Sequence, residues 1–168
     1  ANKLYHDPRL ENPTIFFIVD REELQEQLYN EFYALDLTKP KVIESINKLK
    51  EVIEHDEGLG ERGIFITLIH KFRPEEFEDL QKELEKQAAK KETILSRKNV
   101  IAFIDEGHRT QYGILAAQMK LILESAFFFA FTGTPISKRG RDTYVEFSYP
   151  PEENYFDKYF ITDSIKDG

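Results

Sequence analysis

Four stretches of the chain are apolar without alternation: TIFFIVD (14–20), GIFITLI (63–69), NVIAFID (99–105) and SAFFFAFTGT (125–134). A strand with one face in water alternates apolar and polar residues. A strand buried on both faces does not, and such strands belong to parallel sheets covered by helices. Helical spacing fills the intervals. Leu24, Leu28, Phe32 and Leu35 recur after Asp20, and Asp20 with Glu23 reads as a capping box. Ile43, Ile46, Leu49 and Ile53 form a second stripe, stopped by Gly58. Pro74 opens a third helix, where its missing N–H costs little; its stripe is thin, Phe77, Leu80 and Leu84. Leu115, Met119 and Ile122 mark a fourth, from about 109 to 123. Strands alternating with helices predict right-handed crossovers and an α/β fold, a parallel sheet with helices on both faces. Residues 137–168 are expected to form an irregular tail, with Pro150-Pro151 and many aromatics.

The ends of these strands carry the chemistry. In an open parallel sheet, ligands collect at the carboxyl ends of the strands. NVIAFID runs straight into Glu106, Gly107, His108 and Arg109. Two carboxylates at a rigid, apolar strand end suit metal-assisted phosphoryl transfer. One holds Mg²⁺ largely through its water shell, and the second orients or deprotonates the attacking water. This is a Walker B arrangement. An Asp-Glu pair after a strand also serves as a turn or helix cap, and His108 or Arg109 alone reads as packing or surface charge. The next apolar strand ends in FTGTP, Phe131 to Pro135, one helix further on. The two polar clusters should therefore emerge at one sheet edge.

Composition narrows the class. The chain has 168 residues, 23 Lys plus Arg against 31 Asp plus Glu, and a net charge of −8. That argues against coating nucleic acid through bulk positive charge while leaving room for a local basic site. There is no cysteine, hence no disulfide framework or thiolate metal site. No apolar run approaches a membrane span and the polar start lacks a signal-peptide core, so a cytoplasmic protein is expected. The chain starts without Met and stops at DSIKDG, so a fragment of something longer is expected.

IDEGH followed by FTGTP resembles motifs II and III of superfamily 2 helicases and translocases, the DEAH-box type of ATP-binding motor. The flanking words resemble the restriction (R) subunit of type I restriction-modification enzymes. FFIVDREELQEQL is similar to that family's motif Ia, FITLIHKF to motif Ib and DEGHRTQYG to motif II. FTGTPI, GRDTY and YFDKYFITDSIKDG are similar to motif III and the run beyond it.

The resemblance implies a RecA-like motor domain, partial over 1–136, with 137–168 leading towards a second motor domain. It implies Asp105 as the Mg²⁺–ATP ligand, Glu106 as the water-activating residue and His108 as a coupler of nucleotide state to DNA. Thr132 and Thr134 would link the ATP site to the inter-domain cleft. Asp20 and Arg21 would lie at the DNA-facing edge, and Thr67 and Lys71 would contact backbone phosphate. The implied parent hydrolyses ATP, translocates double-stranded DNA and cleaves it as an endonuclease. Its implied partners are the methylation and specificity subunits.

Two departures stand out. His70 occupies a place where the family often has Gln. More important, none of the eight glycines precedes Lys, so the sequence contains no G-x-x-x-x-G-K-[S/T] phosphate loop. ATP and Mg²⁺ are thus not expected to bind this chain tightly, and the sheet is expected to lack its P-loop strand. The strand of FTGTP should then pair with 99–105 on one side only, its other side being covered by the N-terminal residues, the aromatic tail or a second copy. Other readings are another superfamily 2 translocase or RNA helicase, a non-catalytic adaptor with a decayed motor fold, or a metal-dependent hydrolase built on Asp105, Glu106 and His108. The last has too few ligands in one short cluster.

Overall fold

The computed structural model describes residues 2–34, 39–56, 59–88, 97, 99–105, 118–123, 125–132, 137–138, 141–142, 163 and 165. The chain separates into two units, Ala1–Gly133 and Thr134–Gly168. The first holds a short helix α1 (Asn2–Tyr5), then β1 (Thr14–Val19), α2 (Glu22–Ala34), β2 (Lys41–Ile43), α3 (Ile46–Glu54), β3 (Gly63–Leu68), α4 (Pro74–Ala88), β4 (Val100–Asp105) and β5 (Phe127–Phe131). In the second, Ser137–Lys138 and Arg141–Asp142 form a short antiparallel pair within the tail expected to be irregular.

The five strands form one parallel sheet in the order β2-β3-β1-β4-β5. The unbroken apolar runs are explained by where they sit. β1 lies between β3 and β4, and Ile15, Phe16, Ile18 and Val19 are all buried. Alternate residues serve opposite faces. Ile15 and Val19 join Ile64, Ile66 and Leu68 of β3 in a cluster with Phe32, packed by Leu24 and Leu28 of α2 and by Leu4 and Tyr5 of the N-terminal segment. On the other face Phe16 packs against Phe65 with ring centroids 5.6 Å apart. The chain moves one way across the sheet through α2 and the opposite way through α3 and α4. Right-handed crossovers therefore put α3 and α4 on the face away from α2. Their stripes, Leu49, Val52 and Ile53 with Phe77, Leu80 and Leu84, are buried. The predicted α/β sheet with helices on both faces is what the chain forms.

Among the helices and strands of the first unit, sequence and structure differ in two places. β2 is a fifth strand where periodicity suggested only a helix; Ile43 ends that strand, and α3 begins at Ile46 behind Ser45, whose side chain accepts from the Lys48 N–H at 3.3 Å. At the start of α2 the cap position falls on Arg21, whose carbonyl accepts from the Gln25 N–H at 3.1 Å, so Asp20 lies one residue before the capping place assigned to it. Of the helix expected over 109–123, residues 118–122 are helical and 109–117 lie outside the described residues. α4 starts at Pro74 as expected, and Glu76 turns back to accept from the Arg73 N–H at 2.8 Å.

β5 pairs with β4 from Ile101–Phe127 to Asp105–Phe131, and among the described residues β4 is its one strand partner. That is the edge position expected. Phe17, Phe103 and Phe129 form a series of ring contacts on one face, with Phe131 also against Phe103. Phe127 and Phe131 remain 56% and 58% exposed. The covering expected from the aromatic tail concerns residues outside the described ones, and α1 packs on the face of the sheet near β1.

The amino edge of the sheet is tied by side chains. Arg97 donates through Nη1 to the Thr14 hydroxyl at 3.1 Å and the Leu59 carbonyl at 2.5 Å, and through Nε to Asn99 Oδ1 at 3.0 Å. Asn99 donates to the Leu10 carbonyl at 2.8 Å, and Arg62 donates to the carbonyls of Glu11 and Asn12. Burial, then the nearby Arg62 charge, lowers the Arg97 pKa.

Between the edge strand and its neighbour, the Thr67 hydroxyl donates to the Ile43 carbonyl at 3.1 Å. Thr67→Val keeps the shape and removes that donor. Leaving the buried carbonyl unpaired should cost about 1–3 kcal/mol, whereas Thr67→Ser should cost less. Urea unfolding of the two variants compares them directly.

Candidate functional site

A parallel sheet brings all its strand ends to one edge, and the register says which residues meet there. Val19 pairs with Leu68, Asp105 lies one residue past the Ile18–Ile104 pair, and Asp105 pairs with Phe131. Leu68, Val19, Asp105 and Phe131 thus form one row across β3, β1, β4 and β5. Asp20 and Thr132 each come one residue later. Strands lie about 4.8 Å apart, so neighbouring positions in this row are within reach of one bound group. Asp105 and Thr132 are partly buried. Glu106, His108 and Thr134 lie outside the described residues.

Asp105 is a hard oxygen donor at a rigid strand end. Mg²⁺ takes one or two carboxylates, keeps several waters and uses substrate phosphates for the rest, so this residue fits its donor set. Among the described residues no three His, Cys, Asp or Glu side chains converge as an all-protein metal cage. The phosphate cradle that would complete a nucleotide site is absent from the sequence itself.

A second feature occupies the same edge beside β1 and β3. After Leu68 the chain makes a turn of 3-10 helix, Ile69–Lys71, whose Ile69 and Phe72 are buried. Phe72 meets Phe77 of α4 edge-on, with ring centroids 5.2 Å apart. The anchors leave His70, Lys71 and Arg73 exposed, beside the exposed Arg21 in the turn after β1. His70 Nδ1 lies 3.0 Å from the Asp20 carbonyl oxygen, joining the two turns. Among the described residues, Arg21, Lys71 and Arg73 take part in no ion pair, while Lys41, Lys48 and Lys50 each pair with a glutamate. Unpaired cations gathered in one corner are what a phosphate backbone requires.

Thr67 does not belong to that surface. It is completely buried, with its hydroxyl on the Ile43 carbonyl, so in this fold it joins strands and presents no atom to a phosphate. Asp20, Arg21 and Lys71 do come together, and Asp105 and Thr132 come together further along the edge. Arg73 and His70 were not among the residues singled out as DNA contacts. The run I-H-K-F-R did hold the signal: two apolar anchors with basic residues between and after them. A shallow groove lined by Gln25, Glu26, Tyr29, Asn30 and Val42 carries a single carboxylate.

The whole chain, residues 1–168, matches the family model described as SWI2/SNF2 ATPase. The type I restriction enzyme HindI endonuclease subunit of Haemophilus influenzae is 32% identical over 183 residues, covering 100% of this chain and 16% of that protein. Two proteins of Methanocaldococcus jannaschii named as type I restriction enzyme endonuclease subunits are also similar. MjaVIIIP is 31% identical over 179 residues, covering 100% of the chain and 17% of the relative. MjaVIIP is 33% identical over 245 residues, covering 94% and 23%. The chain therefore spans less than a quarter of the length of these relatives. The resemblance to type I restriction endonuclease subunits, read from motifs at the strand ends, is thus found along nearly the whole sequence. Since the match leaves no part of the chain aside, and Asp105 stands at the carboxyl edge of a parallel sheet, the chain belongs to the SWI2/SNF2 ATPase family.

Proposed function

We propose that this chain forms part of the ATP-driven, double-stranded DNA translocating motor of a type I restriction endonuclease subunit, acting with methylation and specificity subunits. The observation that carries the reading is the common edge. Asp105, at the end of β4, pairs in register with Phe131, just before Thr132, while on the same edge Asp20 and Arg21 follow β1, the next strand, and Lys71 follows β3, one strand further. A nucleotide-responsive site and a phosphate-binding corner on one rigid sheet are what a motor needs in order to transmit work between them.

In this reading Asp105 holds Mg²⁺ and Glu106 orients the attacking water. His108 relays nucleotide state, and Thr132 and Thr134 pass it to the cleft with the second motor domain. Mg²⁺–ATP, when bound, would supply the phosphoryl group, and the metal held by Asp105 would offset the charge on it. The protein contributes position and electrostatics rather than covalent chemistry. Arg21 and Lys71 contact DNA phosphate, which positions the duplex without reading sequence. Thr67 acts beneath them by fixing β3 to β2.

The reading has consequences for the chain itself and for a full-length subunit carrying it. Without a phosphate loop, calorimetry of the chain with Mg²⁺–ATP should give no binding tighter than about millimolar, which is ~4 kcal/mol; micromolar binding would contradict it. In the full-length subunit, Glu106→Gln keeps the size of the side chain and loses the carboxylate. ATP should still bind while hydrolysis and translocation collapse, and translocation at the wild-type rate would exclude the role given to Glu106.

Duplex DNA should bind the chain weakly and with strong salt dependence. If Lys71 holds a phosphate, Lys71→Gln should lower the slope of log affinity against log salt by about 0.9, and Thr67→Val should leave that slope unchanged. Fluorescence anisotropy with a labelled duplex at several salt concentrations measures both.

A further inference from the structure

The parallel ladder between β1 and β3 ends at Val19–Leu68. Beyond that row each strand enters its own turn, and no ladder bond continues between them. The hydrogen bond from His70 to the Asp20 carbonyl, 3.0 Å long, is the next link along the edge. Arg21 directly follows one linked residue and Lys71 the other. On the β3 side the turn is held from below by buried Ile69 and Phe72, with the Phe72 N–H donating to the Ile69 carbonyl at 3.2 Å. His70 therefore stands on a fixed base and reaches across to the β1 turn.

We propose that His70 is a positioning residue that locks the turn after β1 to the turn after β3 and so sets the separation of Arg21 and Lys71. Its consequence for DNA rests on the reading of the preceding subsection; the lock itself does not. A carbonyl only accepts, so Nδ1 carries the proton and donates. A glutamine amide also donates, so Gln at this position can make the same bond in a different shape.

The test uses the whole chain, with amide hydrogen exchange and anisotropy of a labelled DNA duplex across a salt series. His70→Ala should speed exchange of the Gln25 amide, which is bonded to the Arg21 carbonyl, tenfold or more while the urea midpoint stays unchanged. Duplex affinity should fall severalfold with the same salt slope, because no phosphate contact is removed. His70→Gln should restore both protection and affinity. Unchanged exchange in His70→Ala overturns the proposal, and so does a Gln variant as loose as the Ala variant. A reduced salt slope in His70→Ala would make His70 itself the phosphate contact and would equally overturn it. If Arg21→Gln and Lys71→Gln both leave the slope unchanged, the DNA reading fails, while loosened exchange in His70→Ala still supports the lock.

Discussion

The parallel ladder around β1 is the constraint on which the rest depends. Parallel strands carry no hairpins, so every return passes over a face of the sheet, and both faces end up covered. β1 takes the full consequence: it is paired on both sides, and Phe17 is its one residue that is not fully buried. The same constraint points all five strands one way and delivers their ends to a single edge. Asp20, Asp105, Thr132 and the Ile69–Lys71 turn share that edge because no parallel arrangement could put them anywhere else.

This explains what was legible in the sequence. The two-sided burial of β1, β3 and β4 writes itself as unbroken apolar runs, so the sheet, its parallel sense and the edge position of Asp105 were all readable. β2 was not, because a three-residue edge strand carries too little pattern of its own. Ile43 also happens to stand at helical spacing from Ile46, Leu49 and Ile53, and α3 absorbed it. Thr67 was misplaced for a related reason. A motif names a residue type near a ligand, but burial decides whether that residue touches it. In a strand buried on both faces, a hydroxyl finds a neighbouring carbonyl instead. The link between His70 and Asp20 joins residues fifty positions apart, and no local pattern announces a bond of that kind.

The two edges of the sheet are built differently. At the amino edge Arg97, Asn99, Thr14 and Arg62 bind the carbonyls of several separate segments, and charge there is used to satisfy backbone groups. Arginine suits the task, since its planar set of donors serves several acceptors at once and it keeps its charge even when burial lowers its pKa. At the carboxyl edge the basic groups are exposed and outside the described ion pairs. The side-chain ties to backbone carbonyls thus lie mostly on the side of the sheet away from the basic corner.

The net charge of −8 bears on the phosphate-binding role proposed for the corner of Arg21, Lys71 and Arg73. Salt confines the argument to short range, because screening extends about 8 Å at physiological ionic strength. Within that range the acids are ordered by the helices. Glu22 and Glu23 fill the first turn of α2, and Glu75 and Glu76 fill that of α4, where carboxylates complement the positive end of a helix dipole. Glu76 is committed to the Arg73 N–H. Arg21 and Arg73 thus each stand directly before a helix start that acids already moderate. Such a corner exerts little attraction on a duplex at a distance. What it retains is geometry: two turns joined through His70 and the Asp20 carbonyl, which in the proposed reading set where the cations meet phosphates. Affinity built in that way depends on how rigidly the turns are joined, more than on how many charges the chain carries.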